Sequence, residues 1–162
     1  MQLEPIGTIH TPFMEIADMP IQPVGAVGVR GHIDLRADLA EGLSDLDGFS
    51  HLILLYQFHQ TAAVRLTVTP FLDPEPRGVF ATRAPTRPNP IGLSIVKLIE
   101  IRGCRLEIQN IDVLDGTPLI DIKPYVPAFD RPEGEIRTGW LEQAAERSAR
   151  VRSDRRFGND AD

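Results

Sequence analysis

Three prolines within six residues, Pro85, Pro88 and Pro90, share a short stretch with Arg83, Arg87 and Asn89. Proline has no N–H to donate, and its ring clashes with the preceding helical turn. Such a density fits neither a central strand nor the middle of a helix. The stretch from Arg77 to Gly92 therefore reads as a rigid loop whose backbone carbonyls lack neighbouring donors. Arg83 and Arg87 bring forked, permanently charged donors that suit a carboxylate or a phosphate. The loop is either a preorganised ligand clamp or a stiff connection with solvated arginines.

A second cluster runs from Leu114 to Tyr125. Asp115-Gly116 is a turn signal, and alternation from Pro118 to Lys123 follows it. On a strand, Asp121 and Lys123 share one face while Ile120 and Ile122 share the other. Asp121, Lys123 and Tyr125 at a strand end can handle protons at a site, or can form a hairpin with a solvated ion pair. His51 and His59, eight residues apart, point the same way on a regular strand. No third ligand accompanies them, so no metal is assigned.

Other signatures are missing. Gly25, Gly28 and Gly31 recur every third residue, which is not the dinucleotide-binding spacing, and no strong helical pattern follows. There is no phosphate-binding P-loop, paired-histidine zinc motif or nucleophile elbow. The single cysteine, Cys104, rules out an intrachain disulfide and a multi-thiolate zinc site.

The elements that must position these residues are short. Fourteen prolines and thirteen glycines divide 162 residues into pieces that suit an all-β domain. Apolar or alternating runs cover Leu3–His10, Val24–Leu35, His51–Phe58, Val64–Thr69, Gly78–Thr82, Ile91–Ile101, Arg105–Leu114 and Pro118–Ile122. Helical pattern is limited to Asp38–Leu46 and to Gly134–Val151, where Ile136, Trp140, Leu141, Ala144, Ala145 and Val151 share a side. Beyond Arg152 the polar tail is expected to fray. The reading is one all-β domain with minor helix over residues 1–133, followed by a helix and tail over 134–162. A mainly antiparallel barrel is the first architecture to try, since closure removes exposed sheet edges.

A net charge of -6 argues against gripping nucleic acid with the whole surface. Two basic islands remain: Arg77, Arg83, Arg87 and Lys97 without an intervening acid, and five arginines from Arg147 to Arg156. No apolar stretch is long enough to span a bilayer, and the N-terminus lacks the regions of a signal peptide, so a cytoplasmic protein is expected.

Taken in order, Ile6-Gly7-Thr8-Ile9, Gly48-Phe49-Ser50-His51, the Arg77–Gly92 loop, Asp115-Gly116-Thr117-Pro118 and Asp121-Ile122-Lys123-Pro124-Tyr125 resemble the TsaA-like (TrmO-type) family over residues 3–130. The resemblance implies an antiparallel β-barrel homodimer that binds S-adenosylmethionine (SAM) near the subunit boundary. It implies methylation of the exocyclic amine of threonylcarbamoyl-adenosine beside the anticodon of tRNA. Carried over by motif, cofactor contacts fall at Gln22, Pro23, Phe58, His59, Arg83, Leu93, Asp115, Gly116, Thr117 and Pro118. Arg87 and Asn89 shape or line the same clamp. Asp121 or Asp115 would take up the amine's proton, with Tyr125 stacking or hydrogen-bonding nearby. Members active on tRNA usually carry a further C-terminal region, for which the Arg147–Arg156 segment either substitutes as a phosphate contact or is a frayed basic tail without a specific role. A different methyl acceptor and a non-catalytic SAM-binding regulator are the alternatives.

Overall fold

The computed structural model describes residues 2–142 and 144–158. Eight strands form: β1 (Gly7–His10), β2 (Arg30–Leu35), β3 (His51–Gln57), β4 (Thr67–Val68), β5 (Arg77–Gly78), β6 (Ile91–Arg102), β7 (Arg105–Gln109) and β8 (Thr117–Pro124). Six of them close a barrel in the order β1-β2-β7-β6-β3-β8, every neighbouring pair antiparallel. Closure leaves no unpaired edge, as expected for a protein of short strands.

Alternation along the strands fills the interior. Ile9, Ile33, Leu52, Leu54, Val96, Leu106, Ile108 and Leu119 are wholly or almost wholly buried. Each contributes about 1.5–3 kcal/mol through the apolar area removed from water. Cys104 packs against this core as a small apolar residue. On β6 the inward positions are Gly92, Ser94, Val96 and Leu98, while Ile91, Leu93, Ile95 and Ile99 face outward and stay 36–48% exposed.

The short β4–β5 pair stands outside the barrel and roots the proline-rich loop. Val68, Val79, Ala84 and Phe157 make a second small core there, with Phe71 packed against it. Gly78–Thr82, expected as a strand, instead turns into a 3-10 helix at Val79–Ala81. Asp38–Leu46 likewise forms 3-10 turns, at Ala37–Leu43 and Leu46–Gly48.

The chain beyond the barrel departs from the expected helix. An α-helical turn at Pro127–Asp130, α1, is followed by 3-10 turns at Gly139–Leu141, Ala145–Ala149 and Arg155–Phe157. Gly134 and Gly139 adopt left-handed φ values of 84° and 56°, which interrupt any continuous helix over 134–151. Only part of the apolar stripe packs against the body: Ala144 is buried and Trp140, Leu141 and Val151 are half-buried, while Ile136 and Ala145 are exposed. Nor does the tail fray at Arg152: Pro20 pairs with Arg152, Thr61 pairs with Gly158, and Phe157 is only 6% exposed. The last four residues, 159–162, lie outside the described residues. No helix among the described residues is long and apolar enough to cross a membrane.

Candidate functional site

A cavity of about 850 Å³ opens at the end of β3 where the barrel meets the proline-rich loop. Its walls come from five stretches distant in sequence: 16–24, 56–61, 70–72, 80–93 and 112–117. The C-terminal segment adds a sixth wall through Trp140, Leu141, Ser148, Asp154 and Phe157. Trp140 is held in place by its indole N–H, which donates to the Ala81 carbonyl at 2.8 Å, and by the Arg77 guanidinium over its ring at 5.7 Å. Ser153 anchors the far end, accepting from Met19 N–H and donating to the Ile16 carbonyl.

The two arginines of the loop part company. Arg87 turns inward and donates to the carbonyls of Ala84 (2.9 Å), Val79 (3.1 Å) and Thr82 (2.7 Å). The Ala84 and Thr82 carbonyls have no backbone donor, and the Val79 carbonyl also accepts from Thr82 N–H and Oγ1, so the Arg87 fork acts as the internal brace of the loop. Replacing Arg87 with Ala is expected to destabilise the fold by about 2–4 kcal/mol, since three carbonyls lose a charged partner. A lowered thermal midpoint checks this, and Arg87→Lys, lacking the fork, should recover little.

Arg83 is exposed, and its one side-chain bond among the described residues is to Gln22 Oε1 at 2.9 Å, across from the loop. Its guanidinium is therefore available on the cavity wall beside Gln22 and Pro23. Phe58, His59, Leu93 and Thr117 line the same space. Burial holds His59 below the ordinary histidine range, partly opposed by the charge of Asp115. Thr117 Oγ1 donates to the Leu114 carbonyl at 2.6 Å and lies 3.5 Å from His59 Nδ1.

Three polar residues that sequence reasoning passed over meet at the cavity floor, which Tyr56 and Asp112 line while Ser94 is buried behind them. The Tyr56 hydroxyl is 3.0 Å from Ser94 Oγ, which in turn donates to Asp112 Oδ1 at 2.6 Å. Burial keeps the Tyr56 phenol protonated well above its ordinary range. Asp112 is half-buried, its carboxylate set into the floor. Burial pushes that carboxyl up to about 6, against the opposing pull of Ser94, its own N–H and Arg83. Gly92 makes room for the arrangement, since a Cβ there would stand 2.2 Å from the Tyr56 ring. The available signal was Asp112 itself, an acid inside the apolar run Ile111-Asp112-Val113-Leu114.

Other anticipated residues lie outside the cavity. Asn89 is exposed in the loop and carries its backbone bond to Ile91. Asp115, Gly116 and Pro118 build the turn behind Thr117, with Gly116 at φ 74°. Thr11 N–H and then His10 hold the Asp115 carboxyl below its ordinary range. Asp121 pairs with Lys123 at 2.7 Å on the outer barrel face, and Tyr125 N–H donates to the His51 carbonyl. His51 and His59 end up at opposite ends of β3, because the strand stops at Gln57. His10, His32 and Asp34 cluster with ligand-type atoms within 4.8 Å. The Arg105 fork already holds Asp34 at 2.7 and 2.9 Å and the two imidazoles stack, which makes this an ion-pair ladder. The basic C-terminal arginines are largely committed too: Arg147 and Arg152 donate to backbone carbonyls, Arg155 to Glu15, and Arg156 to Asp154.

Comparison with known proteins places this geometry. The model of the tRNA-methyltransferase O N-terminal domain matches residues 8–131. A probable S-adenosyl-L-methionine-binding protein of Pyrococcus abyssi is 50% identical over 94% of this chain and 83% of its own length. The Escherichia coli tRNA (adenine(37)-N6)-methyltransferase is 43% identical over 78% of this chain and 58% of its own. The crystal structure of TrmO from Pseudomonas aeruginosa superposes with a TM-score of 0.72 at 41% identity, covering 86% of this chain and 62% of that one. This chain thus spans about three fifths of those two longer proteins. Barrel, proline-rich loop and Asp-Gly-Thr-Pro turn all fall within the matched stretch, and the chain belongs to the family of the tRNA-methyltransferase O N-terminal domain.

Proposed function

We propose that this chain binds SAM in the cavity and methylates the exocyclic nitrogen of threonylcarbamoyl-adenosine at position 37 of tRNA. The observation that carries the reading is the cavity with the Arg83 guanidinium open on its wall. Its volume is in the range of about 300–1,000 Å³ that small-molecule sites occupy. The residues present suit the cofactor. Phe58, Phe71 and Leu93 offer apolar surface for its adenine and methionine chain, and the fork of Arg83 suits its carboxylate. His59, held neutral by burial, brings no positive charge toward a sulfonium. When bound, SAM supplies an electrophilic methyl group. The protein's own task is then mainly positioning: Arg87 stiffens the loop, Arg83 fixes one end of the ligand, and Trp140 and Phe157 limit access of water.

A homodimer is part of this reading. The outward row Ile91, Leu93, Ile95 and Ile99 on β6 is an unusual amount of apolar surface for a strand facing water. Leu93 belongs both to this row and to the cavity lining, so a second copy seated there would reach the site. A tRNA acceptor also implies a cytoplasmic location.

The test is transfer of labelled methyl from SAM into tRNA that carries threonylcarbamoyl-adenosine, against tRNA lacking it. Transfer that depends on the modification is the expected result. SAM binding without transfer to either tRNA would sink the tRNA acceptor. It would favour the second reading, a different methyl acceptor, for which the net charge of -6 and the internally committed C-terminal arginines speak.

A further inference from the structure

We infer that Asp112 accepts the proton released by the exocyclic nitrogen as that nitrogen is methylated, a role that rests on the methyl-transfer function proposed above. Asp112 lies in the cavity floor, and its carboxylate is oriented by a directed chain of hydrogen bonds. Ser94 has one hydroxyl proton and gives it to Asp112 Oδ1, so the Tyr56 hydroxyl must donate to Ser94 Oγ. The chain therefore ends on the carboxylate as acceptor. No other side chain among the described residues bonds this carboxylate, and Asp112 lines the cavity, so a ligand there meets a carboxylate whose one side-chain partner is Ser94. The groups facing it are Tyr56 from β3 and Arg83 from the loop.

The other acids are spoken for. Asp154 also lines the cavity, yet both its oxygens are held by the Arg156 guanidinium, and it caps the turn at Arg155–Phe157. Asp115 is fixed by Thr11 and His10 behind the wall, and Asp121 is paired with Lys123 outside it. Among the described residues, His59 is the other cavity base not already held by an ion pair, and its lowered proton affinity makes it the weaker candidate.

The chemistry needs such a group. The nitrogen's lone pair is delocalised into the purine and the carbamoyl group, so it attacks efficiently only as its proton departs. As the new N–C bond forms, the C–S bond breaks onto sulfur, which leaves neutral, and the N–H proton passes to the Asp112 carboxylate. Solvent later takes that proton. A base is most effective when its proton affinity lies near working pH, and burial has raised Asp112 toward that range.

The test compares full-length wild type with Asp112→Asn, which keeps the shape and still accepts from Ser94. SAM affinity is read by calorimetry, and single-turnover methyl transfer into threonylcarbamoyl-adenosine tRNA is followed from pH 5 to 9. The expected result is SAM affinity within about threefold of wild type and a rate lowered about 10²–10⁴-fold. The wild-type rate should rise with pH through about 6, and that limb should vanish in the variant. Ser94→Ala, which retains the carboxylate without its anchor, should transfer at an intermediate rate. The inference is overturned by an Asp112→Asn protein that transfers at the wild-type rate or keeps the limb, and more sharply if His59→Gln removes it. It is also overturned if SAM affinity falls in step with the rate, which would make Asp112 a cofactor ligand. Wild type that binds SAM yet methylates no such tRNA fails the functional reading first, and this role with it.

Discussion

Arg83→Ala should weaken SAM binding about 10–100-fold while leaving the thermal midpoint almost unchanged. The guanidinium is exposed and its one side-chain partner among the described residues is Gln22, so the fold loses little when it goes. A charge-assisted bond to a carboxylate is worth about 1.5–3 kcal/mol, and each 1.4 kcal/mol is a factor of ten in affinity. Arg83→Lys should recover part of the loss, because the charge remains while the two-pronged geometry does not. Calorimetric titration with SAM measures the effect, and differential scanning on the same samples confirms the intact fold. An unchanged dissociation constant in Arg83→Ala would place the cofactor's carboxylate elsewhere. The contrast with Arg87 is the informative part. Two arginines four residues apart in one loop are predicted to fail in opposite ways, one losing ligand and the other losing structure.

That contrast also marks how far the sequence could be read. Proline density identified the loop as rigid, and the missing carbonyl partners were a legible consequence. Which arginine would turn inward to supply them was not legible, because it depends on the 3-10 turn at Val79–Ala81 that replaced an expected strand. The barrel strands were readable from alternation: β3 and β6 fall close to their expected limits, while β7 starts at Arg105 as expected but ends at Gln109 rather than Leu114. The segment after the barrel misled for a physical reason. Its apolar residues have helical spacing, but left-handed Gly134 and Gly139 interrupt any helix, and only Trp140, Leu141, Ala144 and Val151 pack against the body, in short turns. The polar floor of the cavity was hidden for a similar reason. Asp112, Ser94 and Tyr56 come together only when β6, β3 and the stretch after β7 close around one end of the barrel. Asp121 and Tyr125 stood out because they share a strand with a turn motif, and the closed barrel places that strand end away from the cavity.

Asp112→Asn should be more stable than wild type at pH 8 and no more stable at pH 4. The sign follows from where the proton is held. Folding raises the carboxyl from 3.8 to about 6, so the folded state binds its proton more tightly than the unfolded chain does. The stability this contributes is fully present below pH 4 and is lost as pH rises through about 6. At neutral pH and above, wild type therefore carries a buried charge at a cost of up to roughly 3 kcal/mol, because each tenfold change in proton affinity is worth about 1.36 kcal/mol. Asparagine does not ionise, keeps an oxygen for Ser94 and presents its amide to the open cavity, so most of that cost should disappear. For a domain of this length each kcal/mol moves the midpoint by about 2–4 °C, which puts the expected difference at several degrees at pH 8. Thermal unfolding of both proteins in matched buffers from pH 4 to 8 gives the answer. Equal midpoints across the range would mean that solvent reaches the carboxylate freely, and a variant less stable at pH 8 would make Asp112 a structural acceptor. The expected pattern, stability gained where activity is lost, is what a charge kept in an unfavourable place for its chemistry predicts.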